Sequence, residues 1–275
     1  MRIRVSHQTS YDYAAPAKGA IQIIRMTPRS HDGQHVLRWR IDLGQDCRLA
    51  PFEDAFGNLA YSFTAEGPLS RLRVAVHGEV ETQETQGVVR GTIERFPPEL
   101  FLRDTALTRR DRDIVAFATD VAGGQHDNVI GALHALNVGL LRELTFDTEA
   151  TSSVTVAAEA FARRRGVCQD FAHIFIAAAR QLEIPARYVA GHLLRADGQT
   201  EQAAGHAWAE AYVPDLGWVA FDPAHGISVG EAYIRVAVGL DSLSAAPIRG
   251  SVSGGSGESM TVSVTVEQAQ IQRQQ

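Results

Sequence analysis

The spacing of apolar residues changes twice along the chain, and each change marks a different kind of element. Up to about residue 80 apolar and polar positions alternate. Ile3, Val5 and His7 interleave with Arg2, Arg4 and Ser6. Ile21–Ile23, Val36–Ile41, Leu59–Phe63 and Leu72–Val76 continue the series. A period of two is that of strands with one buried face. His31-Asp32-Gly33, Phe56-Gly57-Asn58 and Glu66-Gly67-Pro68 supply turns between them, so short strands in a sandwich are expected. Phe96-Pro97-Pro98 can continue neither a helix nor an inner strand and marks a linker. Helical spacing then takes over from Asp111 to Val121, with Gly123-Gly124 as its stop, from Val129 to Glu143 and over 154–165. Phe171, Ile174, Phe175, Ala178 and Leu182 form the apolar stripe of one more helix, closed by Ile184-Pro185. Alternation returns over 186–194, 205–213, 218–222, 232–238 and 259–266. Gly250–Gly257 is rich in Gly and Ser and reads as mobile, and the polar end after Ala269 is expected to fray.

This pattern predicts an α+β chain. An N-terminal β-sandwich domain spans residues 1–98, a second domain of helices packed on an antiparallel sheet spans 99–267, and a polar tail covers 268–275.

The chemistry gathers where the last helix begins. Gly166-Val167-Cys168-Gln169-Asp170 places a thiol in the first turn of a helix, after a glycine that permits an abrupt change of direction. Unpaired N–H groups and the positive end of the helix dipole favour thiolate there. The bland alternative is an inert buried cysteine. Two strands, Gly205–Val213 and Trp218–Pro223, then carry His206 and Asp222 across a turn at Pro214-Asp215-Leu216-Gly217. Nucleophile, base and orienting carboxylate are the parts of a Cys-His-Asp site. A regular four-residue loop would pair Val213 with Trp218 and turn His206 and Asp222 to opposite faces. A working triad therefore predicts a bulge or a different loop length.

With those residues in view, GVCQDFAHIFIAAARQLEIPARYVAGHL followed by GHAWAEAYVPDLGWVAFDPAHG resembles the transglutaminase-like superfamily, in its bacterial branch with an N-terminal β domain. The Tyr11–Tyr13 region, Met26–Arg29, Asp54–Asn58 and Tyr233–Gly239 carry the resemblance over nearly the whole chain. It implies a papain-like catalytic domain with Cys168, His206 and Asp222 in the three catalytic positions. It also implies amide chemistry through a thioester, ending in hydrolysis or transamidation, with the bacterial branch closer to amidases and peptidases. The tryptophan that serves as an oxyanion donor in eukaryotic transglutaminases has no counterpart here, since no tryptophan lies between residues 40 and 207. The Cys168 backbone N–H is one donor. Gln169 or a side chain just upstream is expected to supply the second, and Trp208, on the face of His206, reads equally as a shield for the ion pair or as packing. Asp170, His173 and Glu210 read equally as site-lining or as structural and surface groups, and His225 as a loop residue.

Composition narrows the alternatives. A net charge of −6 gives no general affinity for nucleic acid or anionic membrane. No apolar run reaches the roughly 18 residues of a spanning helix, and the first residues lack the apolar core of a secretory signal. With only two cysteines, Cys47 and Cys168, the chain is no disulfide scaffold, and a nucleophile kept reduced agrees with a cytoplasmic home. No cofactor is expected, and no acidic run resembles a calcium loop. His31 and His35 lack a carboxylate or thiol partner and read as loop residues. The expected partner is a peptide or protein substrate; the oligomeric state is left open. Two readings compete with the enzyme: a retired fold kept as a binding module, and zinc held by Cys168, His206 and Asp222, although such sites usually show tighter ligand pairs in sequence.

Overall fold

Two antiparallel sheets and a set of helices packed on the second of them make up the fold of the protein, seen in a computed structural model that describes residues 1–122, 124–125 and 128–269. In chain order the elements begin with β1 (Arg2–Thr27), β2 (Gln34–Leu43), β3 (Ala50–Glu53), β4 (Leu59–Thr82) and β5 (Val88–Val89), then a 3-10 turn at Pro98–Leu102. Next come α1 (Arg112–Ala122), α2 (Val129–Glu143), β6 (Thr145–Phe146), α3 (Ala157–Arg163), β7 (Arg165–Gly166) and α4 (Cys168–Gln181). The chain closes with β8 (Ala186–Leu193), β9 (Glu201–Gln202), β10 (His206–Val213), β11 (Gly217–Asp222), β12 (Ile227–Ser228), β13 (Tyr233–Gly239) and β14 (Ile248–Gln268).

The first sheet runs β2-β4-β1-β14-β9, with β3 beside β4. Its strands are longer than the turn signals suggest. Glu66-Gly67-Pro68 does not end a strand; it lies inside β4, opposite register shifts in β1 between Asp12 and Ala17 and between Ala17 and Gly19. Pro and Gly are tolerated at such irregularities because the ladder is already interrupted there. The bent strands fold over on themselves: Val74 and Val76 from one half of β4 share a core with Phe63 and Ala65 from the other.

Gly250–Gly257, read as mobile, is strand in the structure. Ser256 pairs with Ala15 and Gly254 with Ala17. β14 thus returns to the first sheet, so a division at residues 98 and 267 does not follow the sheets. The linker is structured too, since β5 joins the second sheet on β11. The expected stop at Gly123 and the fraying of 270–275 lie outside the described residues.

The second sheet runs β12-β11-β10-β8-β13, and α4 packs across it. Phe171, Ile174 and Phe175 are fully buried, at roughly 1.5–3 kcal/mol each. An isolated helix shorter than about 12–15 residues is marginal in water, so this packing is what holds α4 in place. Its core is continuous with the first sheet through Ile3, Val5, Val80, Val264 and Val266.

Two side-chain amides also join the sheets. Asn58 donates to the Val238 carbonyl and accepts from the Val238 N–H, both at 2.8 Å. Gln34 makes the same pair of bonds to Arg235, at 2.9 and 2.8 Å. Both dress β13, an edge strand of the second sheet. Asp54 supports Asn58 at 3.0 Å and pairs with Arg25 at 2.7 Å.

Candidate active site

The start of α4 is fixed before the thiol is reached. β7 pairs in parallel with β6, Gly166 lying opposite Phe146. The Asp170 carboxylate accepts from the Val167 N–H at 2.8 Å and from the Thr151 hydroxyl at 2.6 Å. Burial pushes its carboxyl up, and these two bonds oppose the shift. A Cβ on Gly166 would stand 2.6 Å from that carboxylate, so residue 166 has to be glycine for the turn to close. Asp170 is thus a helix-start residue. Cys168, half-buried, is the first residue of α4, where N–H groups have no acceptor within the helix.

The hairpin departs from the regular count. Val213 pairs with Gly217, and the ladder continues through Ala209 and Phe221. The loop is one residue shorter than the four-residue turn, and Gly217 takes a left-handed φ of 87° to close it. That single residue puts Asp222 on the face of His206 and Trp208. His206 Nε2 lies 2.6 Å from Asp222 Oδ2, and Cys168 is near enough to the ring to raise its pKa.

Asp222 is fully buried and holds four bonds. Besides His206, its Oδ2 accepts from His225 Nδ1 at 2.8 Å and from the Tyr233 hydroxyl at 2.8 Å, and Oδ1 accepts from the Ala224 N–H at 3.0 Å. Burial alone would raise its carboxyl, but the hydrogen bonds and charges of His206 and His225 hold it well below the usual carboxylate range. For His206, burial pulls the pKa down, yet the negative charge at Cys168 and the bonds to Asp222 and Cys168 prevail, and it is pushed up to about 10. The arrangement therefore stabilises an imidazolium against the Asp222 carboxylate. Tyr233, raised far above its ordinary value by burial and by Asp222, stays a donor.

The remaining candidates separate. The Gln169 amide donates to the Ser153 carbonyl at 3.3 Å, which ties the loop before α3 to α4. Trp208 is buried under the site, 6.2 Å from the His206 ring and 5.5 Å from Tyr233, between centroids. His173 is a core residue: it accepts from the Ser242 N–H at 3.1 Å, and burial pushes it down to about 4. Glu210 shares the His206 face but is no surface charge; it is fully buried between Arg187 and Arg235, at 2.7 Å from each. Sequence reasoning missed Tyr233 and His225 as partners of Asp222. The three-residue step from Asp222 to His225 across a turn was the available signal for one; for Tyr233 there was none outside the family-like segment.

His206, Asp222 and His225 offer donor atoms within 4.8 Å of one another, so a metal has to be weighed. Two ligands of one tetrahedral zinc, at bonds near 2.1 Å, stand roughly 3.4 Å apart. The 2.6 and 2.8 Å separations here are those of shared protons. The geometry fits hydrogen bonds better than an ion.

Comparison with known proteins follows the same residues. Positions 115–223 match the model of the transglutaminase-like superfamily, and positions 3–81 that of the bacterial transglutaminase-like N-terminal region. An uncharacterised protein of Mycobacterium leprae, ML0607, is 30% identical across 96% of this chain and 98% of its own length. The chain belongs to the transglutaminase-like superfamily. Its match to the superfamily core contains Cys168, His206 and Asp222. Another uncharacterised relative, Rv2569c of Mycobacterium tuberculosis, is 25% identical over 97% of the chain and 92% of its own. The crystal structure of a candidate cysteine protease from Cytophaga hutchinsonii shares the fold at a TM-score of 0.76 and 21% identity, over 98% of this chain and 92% of that one. Transglutaminase-like proteins are generally cysteine-dependent enzymes.

Proposed function

We propose that this transglutaminase-like protein is a cysteine amidase or peptidase that cuts amide bonds through a thioester on Cys168. The observation that carries the reading is the His206 ring, held by the buried Asp222 at 2.6 Å and close enough to Cys168, at the start of α4, to be raised by it. The Cys168 thiolate attacks the carbonyl carbon and the C–S bond forms, while the oxyanion is met by N–H groups at the start of α4. The C–N bond then breaks, and His206 gives its proton to the departing amine. A water, losing a proton to the now neutral His206, attacks the thioester; the acid leaves, and thiolate and imidazolium are restored. Asp222 keeps the ring in place and stabilises its charged form.

The test is alkylation of Cys168 by iodoacetamide across pH, in a Cys47→Ser background. The expected rate is high already near neutral pH and drops in His206→Ala. A rate that rises only through about pH 8.5, like an ordinary thiol, would leave a retired site and point to the binding-module reading. Once a substrate is found, Cys168→Ala should abolish turnover with the fold intact. Release of free acid marks water as the acceptor; incorporation of an added amine would instead mark transamidation.

A further inference from the structure

A cavity of about 580 Å³ lies between the first sheet and β13, away from the thiol. Its size falls in the range of roughly 300–1,000 Å³ common for small-molecule sites. Leu37 from β2, Phe56 from the turn after β3 and Ile93 from the linker give it apolar walls. Leu37 and Ile93 are 39% and 42% exposed, high for large apolar side chains. Arg29, Arg38 and Arg235 are also among the residues that line this space.

Each of those arginines is only partly engaged. Arg29 bonds through Nε to the Gly57 carbonyl at 2.7 Å and through Nη2 to Glu53. Arg38 bonds through Nη2 to Glu79 at 2.7 Å. Arg235 bonds through Nε and Nη2 to Glu210 at 2.7 and 3.2 Å. Among the described residues, Nη1 of all three has no protein acceptor. The partner carboxylates are also shared: Glu53 with Arg95, Glu79 with Arg4, and Glu210 with Arg187. At Glu53 one carboxylate therefore faces two guanidiniums beside the cavity, while Glu267 next to Arg4 and Glu94 next to Arg187 balance the other two groups. Arginine forks of this kind bind carboxylates with charge-assisted hydrogen bonds.

We infer that this cavity is a binding site for a small organic anion with an apolar body, of the aryl or medium-chain carboxylate class. The carboxylate meets the unengaged guanidinium N–H groups, and the body lies against Leu37, Phe56 and Ile93. Because the walls come from both sheets and the linker, occupancy ties these parts together and stabilises the folded state by mass action. The site does not depend on the cysteine chemistry.

The experiment uses the full chain with anilinonaphthalene sulfonate as fluorescent probe, octanoate as competitor and octanamide as its neutral counterpart. Saturable one-to-one probe binding is expected, displaced by octanoate and at least about tenfold less well by octanamide. Arg38→Gln and Ile93→Asp both alter exposed side chains, so their far-ultraviolet circular dichroism should match the parent while octanoate affinity falls severalfold. Cys168→Ala should bind like the parent, which separates this inference from the proposed reaction. Absence of saturable binding, equal displacement by octanamide, or unchanged affinity in both variants would overturn it.

Discussion

His206 is the residue whose protonation state the whole site is arranged around. Its folded pKa, about 10 against an ordinary 6.5, means that the charged ring stabilises the fold. That contribution is complete below pH 6.5 and is lost as pH rises through about 10. Urea midpoints should therefore decline on the alkaline side, and His206→Ala should remove that part of the decline. Activity is expected to have its alkaline limb in the same window, where the imidazolium that protonates the leaving amine is lost. Asp222→Asn keeps the shape and removes the charge, so kcat/KM should fall on the order of a hundredfold or more, and the melting temperature should fall as well because the charged ring loses its buried carboxylate partner. Tyr233→Phe removes one of the donors on Asp222 Oδ2. The carboxylate then binds the imidazolium more strongly, and the alkaline limb should move to higher pH; an unchanged profile would make Tyr233 packing only. That His206 and Asp222 meet was legible in the sequence because chemistry restricts which residue types can stand together on such a hairpin. Tyr233 and Glu210 were not, because their roles depend on which strand lies beside which, and a Glu in an alternating strand has the pattern of a surface charge until Arg187 and Arg235 are seen on either side of it.

At the scale of elements, the hairpin of β10 and β11 decides whether the site exists. One residue of register separates a diverging His206 and Asp222 from the pair at 2.6 Å. Sequence logic demanded this departure from the regular count but could not say where it fell; Gly217 is the answer, through its left-handed φ. No atom crowds a Cβ there, so Gly217→Ala tests backbone strain alone. A loss of about 1–2 kcal/mol in stability is expected, read by chemical denaturation. The helix α3 shows the opposite failure. Spacing placed it over 154–165, but it starts at Ala157, because the Ser152 N–H donates to the Thr155 hydroxyl and the Thr155 N–H to the Ser152 carbonyl, forming a turn that competes with helix. It ends at Arg164, whose φ of 55° is left-handed. The three arginines that follow its apolar face are paired with Glu159, Glu143 and Asp147, an ion-paired helix end rather than a cluster left open for substrate.

At the scale of the molecule, the two sheets are held together by specific polar clasps as well as by apolar packing. Asn58→Ala leaves both backbone groups of Val238 without a partner, so it should cost at least about 2 kcal/mol, at about 1–3 kcal/mol for each buried group. Denaturation of that variant, with Gln34→Ala as a parallel, checks it. The His7 and His192 rings also meet across the sheets, 5.4 Å apart, and burial pushes them down to about 4 and about 3. As pH falls below 6.5 the unfolded chain gains protons that the folded one refuses, so stability should fall toward pH 4, and less steeply in His192→Gln. None of this was legible beforehand, since long-range pairing leaves no local pattern; the Gly/Ser-rich run before Met260 looked like a mobile loop for the same reason. The return of β14 to β1 has a consequence in time. Arg4 and Glu267, bonded across the ladder, are 263 residues apart. A ribosome needs on the order of tens of seconds to span that distance. While β8 to β13 emerge and assemble around α4, the strand that waits longest for a neighbour is the one made first, and its open edge is a place where a nascent chain can be captured by a chaperone or by another copy of itself.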